Sequence, residues 1–238
     1  MNHKIRYAVP NFLTFMSLAC GLGSILLSSQ EYLVAAGILV LCSYVLDIWD
    51  GFTARKLNAQ TSFGLQLDSL ADMVSLGIAP AVLVFHHLMA RGLSIYWILP
   101  FVLLTALAGA FRLARFNLLP PKTINPKDSI GLPITQSGGT IALAVLSDLS
   151  VKGLVLASGF YIPFLLVLSI FMVSTISFPP SSWFFLTKIR VSLFVIYLVV
   201  FLLILPLFTT WFILYLGYLA ISTSRAFYLK VNQRQLTT

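Results

Sequence analysis

Four of the chain's seven acidic residues lie within a stretch of 26 positions, and their spacing suits paired carboxylates. Asp47 and Asp50 are three residues apart, and Asp68 and Asp72 are four apart. If each segment is helical, each pair lies on one helix face. The intervening residues 51–67 can act as a turn that brings the two pairs together. The sequence therefore predicts one cluster of four carboxylates.

Converging carboxylates repel one another, and one or two bound divalent cations remove that repulsion. No cysteine lies near the four acids, and His86 and His87 are expected at the far end of the third helix, without a catalytic task. An all-oxygen ligand set favours Mg²⁺ or Mn²⁺ over Zn²⁺. Such cations commonly bind phosphate oxygens, so we expect a phosphate-bearing substrate. The small residues Gly51, Ala54 and Gly64 either let a nucleotide or pyrophosphate approach the backbone or pack helices together.

Membrane helices must position these acids, because the composition excludes an ordinary water-soluble domain. Of the 238 residues, 59% are hydrophobic and 9% charged, and the mean hydropathy is +0.96. Soluble domains have about a quarter of their residues charged. We expect an all-α, polytopic helix bundle that forms a single integral membrane domain over residues 1–238. The predicted spans are 12–28, 33–54, 68–90, 94–117, 133–150, 153–175, 189–206 and 208–228.

The basic residues predict the orientation of this bundle. Eight spans place both termini on one face, which then holds thirteen of the 15 Lys and Arg residues. The two exceptions are Arg91 and Lys152. So strong a bias indicates that this face, which also carries the four acids, is cytoplasmic. Most of the net charge of +8 is explained by topology and anionic lipid headgroups, so nucleic acid is not expected as a partner.

The full string Asp47-x2-Asp50-Gly51-x2-Ala54-Arg55-x8-Gly64-x3-Asp68-x3-Asp72 resembles the signature of the CDP-alcohol phosphotransferases at every fixed position and gap. The resemblance implies a homodimeric membrane enzyme with a six-helix core, in which an alcohol displaces CMP from a CDP-linked lipid. It implies that Asp47, Asp50 and Asp68 hold a pair of divalent ions. Asp72, counted with them as a metal-site carboxylate, would be the base that takes the proton of the attacking hydroxyl. The residues implied to bind the CDP-lipid are Asp47, Asp50, Asp68, Gly51, Ala54, Arg55, Gly64 and, in a short match near Pro10, Asn11 and Thr14.

Further segments resemble the branch of this family that makes phosphatidylserine. They are residues 68–80, 111–117, 131–133 and 172–174. Leu76 departs from that branch, which commonly has Phe there. The resemblance covers residues 5–178, the expected catalytic core, whereas 189–228 match only in being hydrophobic and are expected to add packing or dimer surface. It implies CDP-diacylglycerol and L-serine as substrates and CMP as a product.

A serine substrate needs partners for its carboxylate and its ammonium group. Arg112 and Arg115, three residues apart at the cytoplasmic end of the fourth span, could grip the carboxylate, and Asn117 could add an amide contact. The two arginines could instead mark the membrane boundary or bind lipid phosphate. For the ammonium group, Ser75, the segment around Gln136 and a backbone carbonyl remain alternatives.

Two other functions compete with transfer to serine. The same chemistry could use inositol phosphate, glycerol 3-phosphate or choline, with Arg112, Arg115, Lys122 and Lys127 serving a phosphorylated acceptor. A cation-coupled transporter also places carboxylates in the membrane, but typically near mid-bilayer and in repeated halves. The serine-type segments and the fixed spacing favour the enzyme, which we expect in the inner membrane of a prokaryote with both termini and the site cytoplasmic.

Overall fold

Long apolar runs, separated by short segments rich in Gly, Pro and polar residues, fold into a bundle of helices. The computed structural model describes residues 3–118, 129–151, 153, 155–178 and 205–236. The helices are α1 (His3–Ser29), α2 (Leu33–Lys56), α3 (Ser62–Asp72), a π-helical segment (Met73–Ile78), α4 (Ala79–Ala90), α5 (Ile95–Leu118), α6 (Ile134–Leu149), α7 (Ser158–Val173) and α8 (Leu207–Leu236). The strands β1 (Ser129–Ile130) and β2 (Ser177–Phe178) pair antiparallel, with Ser129 opposite Phe178.

The connection between the two acid pairs is shorter than the sequence predicted. The turn was predicted over residues 51–67, but α2 continues to Lys56 and α3 begins at Ser62. The hydroxyl of Thr61 accepts a hydrogen bond from the backbone N–H of Gly64 at 2.9 Å and caps α3. The helix therefore starts at Ser62, six residues before the predicted start at 68. The connection between α2 and α3 is therefore limited to residues 57–61.

Five helices within the described residues are long and apolar enough to cross a membrane. They are Arg6–Ser29, Leu33–Lys56, Ser62–Ala90, Ile95–Leu118 and Leu207–Ala226. Helices α6 and α7 have 16 residues each, fewer than the ~20 that span a bilayer without tilt or distortion. The all-α, polytopic membrane architecture is confirmed, while the predicted seventh span, 189–206, falls almost entirely outside the described residues.

Helix α6 lies at the centre of the bundle and is buried along nearly its whole length. It carries Asp148, whose carboxylate accepts hydrogen bonds from Arg91 and from the Tyr161 hydroxyl at 3.2 Å. His87 Nε2 lies 2.9 Å from the same oxygen. These polar partners explain how the apolar helix α6 accommodates the Asp148 carboxylate. They lie at the end of α4 that is far from Asp72, so Asp148 is separate from the other four carboxylates.

Candidate active site

Three of the four predicted carboxylates meet between the C-terminal half of α2 and the middle of α3. Single oxygens of Asp47, Asp50 and Asp68 all lie within 4.8 Å of one another. Asp47 and Asp68 are partly buried, whereas Asp50 is buried at 5% exposure. The prediction that the two pairs converge is therefore confirmed for these three residues.

Asp72, at the end of α3, is the fourth carboxylate of the cluster. It is buried at 7% exposure, and its carboxylate lies within hydrogen-bonding reach of Asp47. Asp47 also lies within such reach of Asp68. Four carboxylates thus share one buried volume, an arrangement that is costly in a membrane protein unless a cation or a proton is shared among them.

The donor set of this cluster fits a hard divalent cation. All of the converging donors are carboxylate oxygens, the ligands that Mg²⁺ and Mn²⁺ prefer. Among the described residues, Arg112 acts electrostatically on Asp72, Asp47 and Asp68, and Arg55 acts on Asp47 and Asp50. These two guanidinium groups alone do not balance four carboxylates, and a bound cation can neutralise the remaining negative charge.

Helix α1 holds α2 in place behind the acids. The Thr14 hydroxyl donates a hydrogen bond to Asp50 Oδ2 at 2.7 Å, and both side chains are buried. Two turns further from the site along α2, the hydroxyls of Ser17 and Ser43 are hydrogen-bonded at 2.7 Å. Thr14 thus contacts one carboxylate of the signature directly and restrains its orientation.

The π-helical segment begins directly after Asp72 and is packed closely on two sides. A Cβ on Gly21 of α1 would lie 2.5 Å from Ser75 Cα, and a Cβ on Gly138 of α6 would overlap the Leu76 carbonyl oxygen. Glycine at both positions lets the neighbouring helices touch the segment's backbone. Short π-helical insertions are frequent at functional sites, and this one follows Asp72 directly in the chain.

The residues implied to line the nucleotide pocket surround the same end of α2. A Cβ on Gly64 would lie 3.1 Å from Thr61 Oγ1 and 3.4 Å from Asn11 Oδ1, so the start of α1 meets the second half of the signature. A Cβ on Gly51 would lie 3.3 Å from Arg55 Nη1. Ala54, one residue earlier than Arg55, belongs to the same last turns of α2.

Arg112, like Arg55, is a basic residue that the structure brings close to the acids. It is buried at 8% exposure, its guanidinium carbon lies over the Phe116 ring at 5.0 Å from the centroid, and Nη2 donates to Ser129 Oγ at 3.5 Å. The cation–π contact and the hydrogen bond restrain where the guanidinium lies. Arg112 therefore lies where a substrate carboxylate close to Asp72 could meet it.

Arg115 has a different environment from Arg112, although the sequence treated the two alike. Its Nη1 donates to the Val173 carbonyl at 2.7 Å, and its Nη2 donates to the carbonyls of Ile130 at 3.0 Å and Met172 at 3.1 Å. These bonds join the end of α5 to the end of α7 and to β1. The guanidinium is thus engaged by three backbone carbonyls, which gives Arg115 a structural role in holding α5, α7 and β1 together.

Asn117 and Ser75 are also engaged within the protein. The Asn117 amide donates to Ser69 Oγ at 3.1 Å, which links α5 to α3. The Ser75 hydroxyl donates to the Ala71 carbonyl at 2.7 Å and is fully buried against Gly21. This packing leaves Ser75 little room to accept a substrate ammonium group.

Gln136 is buried at 6% exposure, and within the described part of the chain its Oε1 has no hydrogen-bond partner. It lies one turn before Gly139, which packs against Tyr44 of α2. Gly138, by contrast, faces the π-helical segment. Gln136 is therefore on the α2-facing side of α6 and not on the side that meets the segment after Asp72.

Sequence reasoning missed two contacts around the site. Arg6 was counted only as a topological charge, but it donates to the carbonyls of Leu57 and, at 3.1 Å, Asn58, in the turn between the two halves of the signature. Tyr44, one turn before Asp47, was not singled out, and its hydroxyl lies 2.6 Å from that of Tyr215 in α8. Tyr44's spacing from Asp47 was the only available signal.

Comparison of the sequence with known proteins identifies the family of this chain. The sequence model of the CDP-alcohol phosphatidyltransferase family matches residues 7–162. The chain is 33% identical over 178 residues to a CDP-diacylglycerol–serine O-phosphatidyltransferase of Helicobacter pylori, covering 73% of this chain and 72% of that protein. It is 34% identical over 176 residues to the enzyme of the same name from Bacillus subtilis, covering 72% and 89%. An archaetidylserine synthase of Methanothermobacter thermautotrophicus is 34% identical over 178 residues, covering 72% and 70%. The chain therefore belongs to the CDP-alcohol phosphatidyltransferase family.

Proposed function

We propose that the protein transfers the phosphatidyl group of CDP-diacylglycerol to the hydroxyl of L-serine, giving phosphatidylserine and CMP. The observation that carries this proposal is the convergence of Asp47, Asp50, Asp68 and Asp72 next to the buried Arg112, in a member of a family of phosphatidyltransferases. The relatives named above share serine in their names although their lipids differ, which supports serine as the acceptor.

The carboxylates divide into two roles. Asp47, Asp50 and Asp68 are proposed to hold one or two Mg²⁺ or Mn²⁺ ions, with Asp72 at the edge of the site. When bound, these ions supply the positive charge that neutralises the pyrophosphate oxygens. Thr14 keeps the Asp50 carboxylate oriented by its 2.7 Å hydrogen bond. Asn11, Gly51, Ala54, Arg55 and Gly64 would line the CDP-lipid pocket.

Asp72 is proposed as the general base. Its carboxylate takes the proton of the serine hydroxyl, the serine oxygen forms a bond to the phosphorus that carries diacylglycerol, and the bond from that phosphorus to the CMP oxygen breaks. CMP leaves with the electron pair. One displacement of this kind inverts the configuration at phosphorus and needs no covalent enzyme intermediate. The burial of Asp72 suits a base that must be kept from bulk water.

Arg112 is the proposed partner of the serine carboxylate. A guanidinium can bind a carboxylate through two parallel hydrogen bonds, and the Phe116 ring, 5.0 Å away, restrains where the Arg112 guanidinium lies. Arg115 and Asn117 would support this pocket indirectly, since both bind other parts of the chain. For the ammonium group, the segment around Gln136 and a backbone carbonyl are the proposed alternatives, because Ser75 is packed too closely.

The site is proposed to face the cytoplasm of a prokaryotic cell from its inner membrane, with both termini on the same side. The strong bias of Lys and Arg towards that face supports this orientation. Lipid tails would leave sideways into the bilayer. On the outer side of α2, an open surface formed by Ile48, Trp49, Phe52 and Arg55 offers them apolar contacts near the site. A homodimer is proposed from the family resemblance.

The test is CMP release by detergent-purified protein that is given CDP-diacylglycerol and Mn²⁺ or Mg²⁺. L-serine, inositol phosphate, glycerol 3-phosphate and choline are offered in separate reactions, with and without EDTA. We expect CMP release that requires L-serine and stops with EDTA. Release with a different alcohol would keep the chemistry but refute the serine pocket. No release by folded protein with any of the four would favour the cation-coupled transporter.

A further inference from the structure

Helix α8 lies beyond the residues that match the family, 7–162, yet it packs on the catalytic core. The Thr209 hydroxyl lies 2.7 Å from that of Ser147 in α6. The Tyr215 hydroxyl lies 2.6 Å from that of Tyr44 in α2. Both are ordinary distances for O–H···O hydrogen bonds. From the sequence, this helix was expected to add either packing or dimer surface. The face of α8 that carries Thr209 and Tyr215 packs against the chain's own core.

The two hydrogen bonds lie at different depths relative to the acids. Helices α2 and α6 run antiparallel, since Gly37 packs against Leu146 and Gly139 packs against Tyr44. Ser147 is next to Leu146, so the Thr209 bond is close to Gly37, ten residues before Asp47. Ten helical residues span about 15 Å. The Tyr215 bond, by contrast, is one turn from Asp47.

Tyr44 is held firmly in this position. Its ring packs over Gly139, where a Cβ would lie 3.4 Å from the ring, and meets the Tyr215 ring edge to face at 6.5 Å. Tyr44 and Asp47 are three residues apart, so they are neighbours on one face of α2. They are close enough to interact electrostatically. If Tyr215 lost its hydroxyl, the partly buried Tyr44 hydroxyl would lose its partner and the side chain would be freer to move.

We propose that Tyr215 is a positioning residue for the metal site, because its hydrogen bond to Tyr44 fixes the turn of α2 that presents Asp47. The inference rests on the proposed function for the role of Asp47 as a metal ligand. Residues that orient ligands from outside the metal's own shell commonly affect metal affinity. Here the support comes from a helix outside the family-matched segment.

The experiment compares Tyr215→Phe with Thr209→Val in the full-length, detergent-purified chain. Each substitution removes one hydroxyl that ties α8 to the core and keeps the side chain's bulk. Mn²⁺ is titrated with two readouts: the rise in unfolding temperature without substrate, and CMP release at saturating CDP-diacylglycerol and L-serine. For Tyr215→Phe we expect the half-saturating Mn²⁺ concentration to rise about three- to tenfold in both readouts, the value of one net hydrogen bond. For Thr209→Val we expect a lower unfolding temperature without metal and an unchanged Mn²⁺ dependence.

Tyr44→Phe and the double variant complete the design. If the two hydroxyls act as one unit, Tyr44→Phe shifts the Mn²⁺ dependence as Tyr215→Phe does, and the double variant is no worse than either. Tyr44→Phe also provides the measurement if Tyr215→Phe does not fold. Wild-type Mn²⁺ affinity in the tyrosine variants, or an equal shift in Thr209→Val, would overturn the proposal. The unfolding readout needs no substrate, so it stays valid even if the acceptor alcohol is not serine. If Mn²⁺ does not stabilise the wild-type protein, both the metal site and this inference are refuted.

Discussion

Replacing Gly138 by alanine tests how the π-helical segment supports Asp72. The new Cβ would overlap the carbonyl oxygen of Leu76 and lie 3.0 Å from its carbonyl carbon. These are backbone atoms, which cannot rotate away as a side chain can. Overpacking typically costs up to about 3 kcal/mol, and the higher helix propensity of alanine returns about 1 kcal/mol. We therefore expect a net loss of about 2 kcal/mol in the free energy of unfolding, which is roughly 4–8 °C in Tm for a chain of this size.

Gly138→Ala should also impair turnover, because Leu76 lies one helical turn after Asp72 and α3 continues directly into the π-helical segment. A shift of the reacting groups by about 1 Å can cost on the order of 100-fold in rate. Tm is followed by tryptophan fluorescence in detergent, and turnover by CMP release below the Tm of the variant. Gly217→Ala is the matched control, since nothing lies within 4 Å of its new Cβ and α8 should tolerate it. Wild-type Tm and turnover in Gly138→Ala would refute the close packing of α6 on the π-helical segment.

Three further substitutions test individual roles in the site. Asp72→Asn should abolish CMP release while CDP-diacylglycerol still binds, as measured by equilibrium binding; a near-normal rate would rule out Asp72 as the base. Thr14→Val removes the hydrogen bond to Asp50 without changing side-chain bulk, and a bond to a charged group is worth about 1.5–3 kcal/mol. The Mn²⁺ needed for half-maximal activity should therefore rise at least tenfold, and an unchanged requirement would count against Asp50 as a ligand. Arg112→Lys keeps the positive charge but cannot form two parallel hydrogen bonds to a carboxylate. KM for L-serine should therefore rise about tenfold or more, with little change in KM for the CDP-lipid. Equal changes in both KM values would contradict the assignment of Arg112 to serine.

The core of the site could be predicted from the sequence because it depends on local spacing. Asp47 and Asp50 share a helix face, Asp68 and Asp72 share another, and a short turn brings the pairs together. The extent of that turn was predicted wrongly because the cap at Thr61 and the bonds from Arg6 were not recognised. Both features depend on contacts that hydropathy does not report.

The serine side of the site could not be predicted as well, because its contacts join distant parts of the chain. Arg112 and Arg115 have the same residue type and lie on one helix, yet Arg115 binds carbonyls of Met172 and Val173, 57 and 58 residues away. Tyr44 and Tyr215 are 171 residues apart. No periodicity or motif in the sequence pairs such residues, so only the folded structure separates a clamp from a candidate binding group.

The central claim is that the serine hydroxyl attacks the phosphatidyl phosphorus in this carboxylate site. It is tested most directly by supplying L-serine labelled with ¹⁸O in its hydroxyl group, together with CDP-diacylglycerol and Mn²⁺, and analysing the lipid product by mass spectrometry. The account predicts phosphatidylserine that retains the label, one CMP released per lipid formed, and no product from the Asp72→Asn protein. Unlabelled phosphatidylserine, or a labelled product that forms equally well without Asp72, would contradict it.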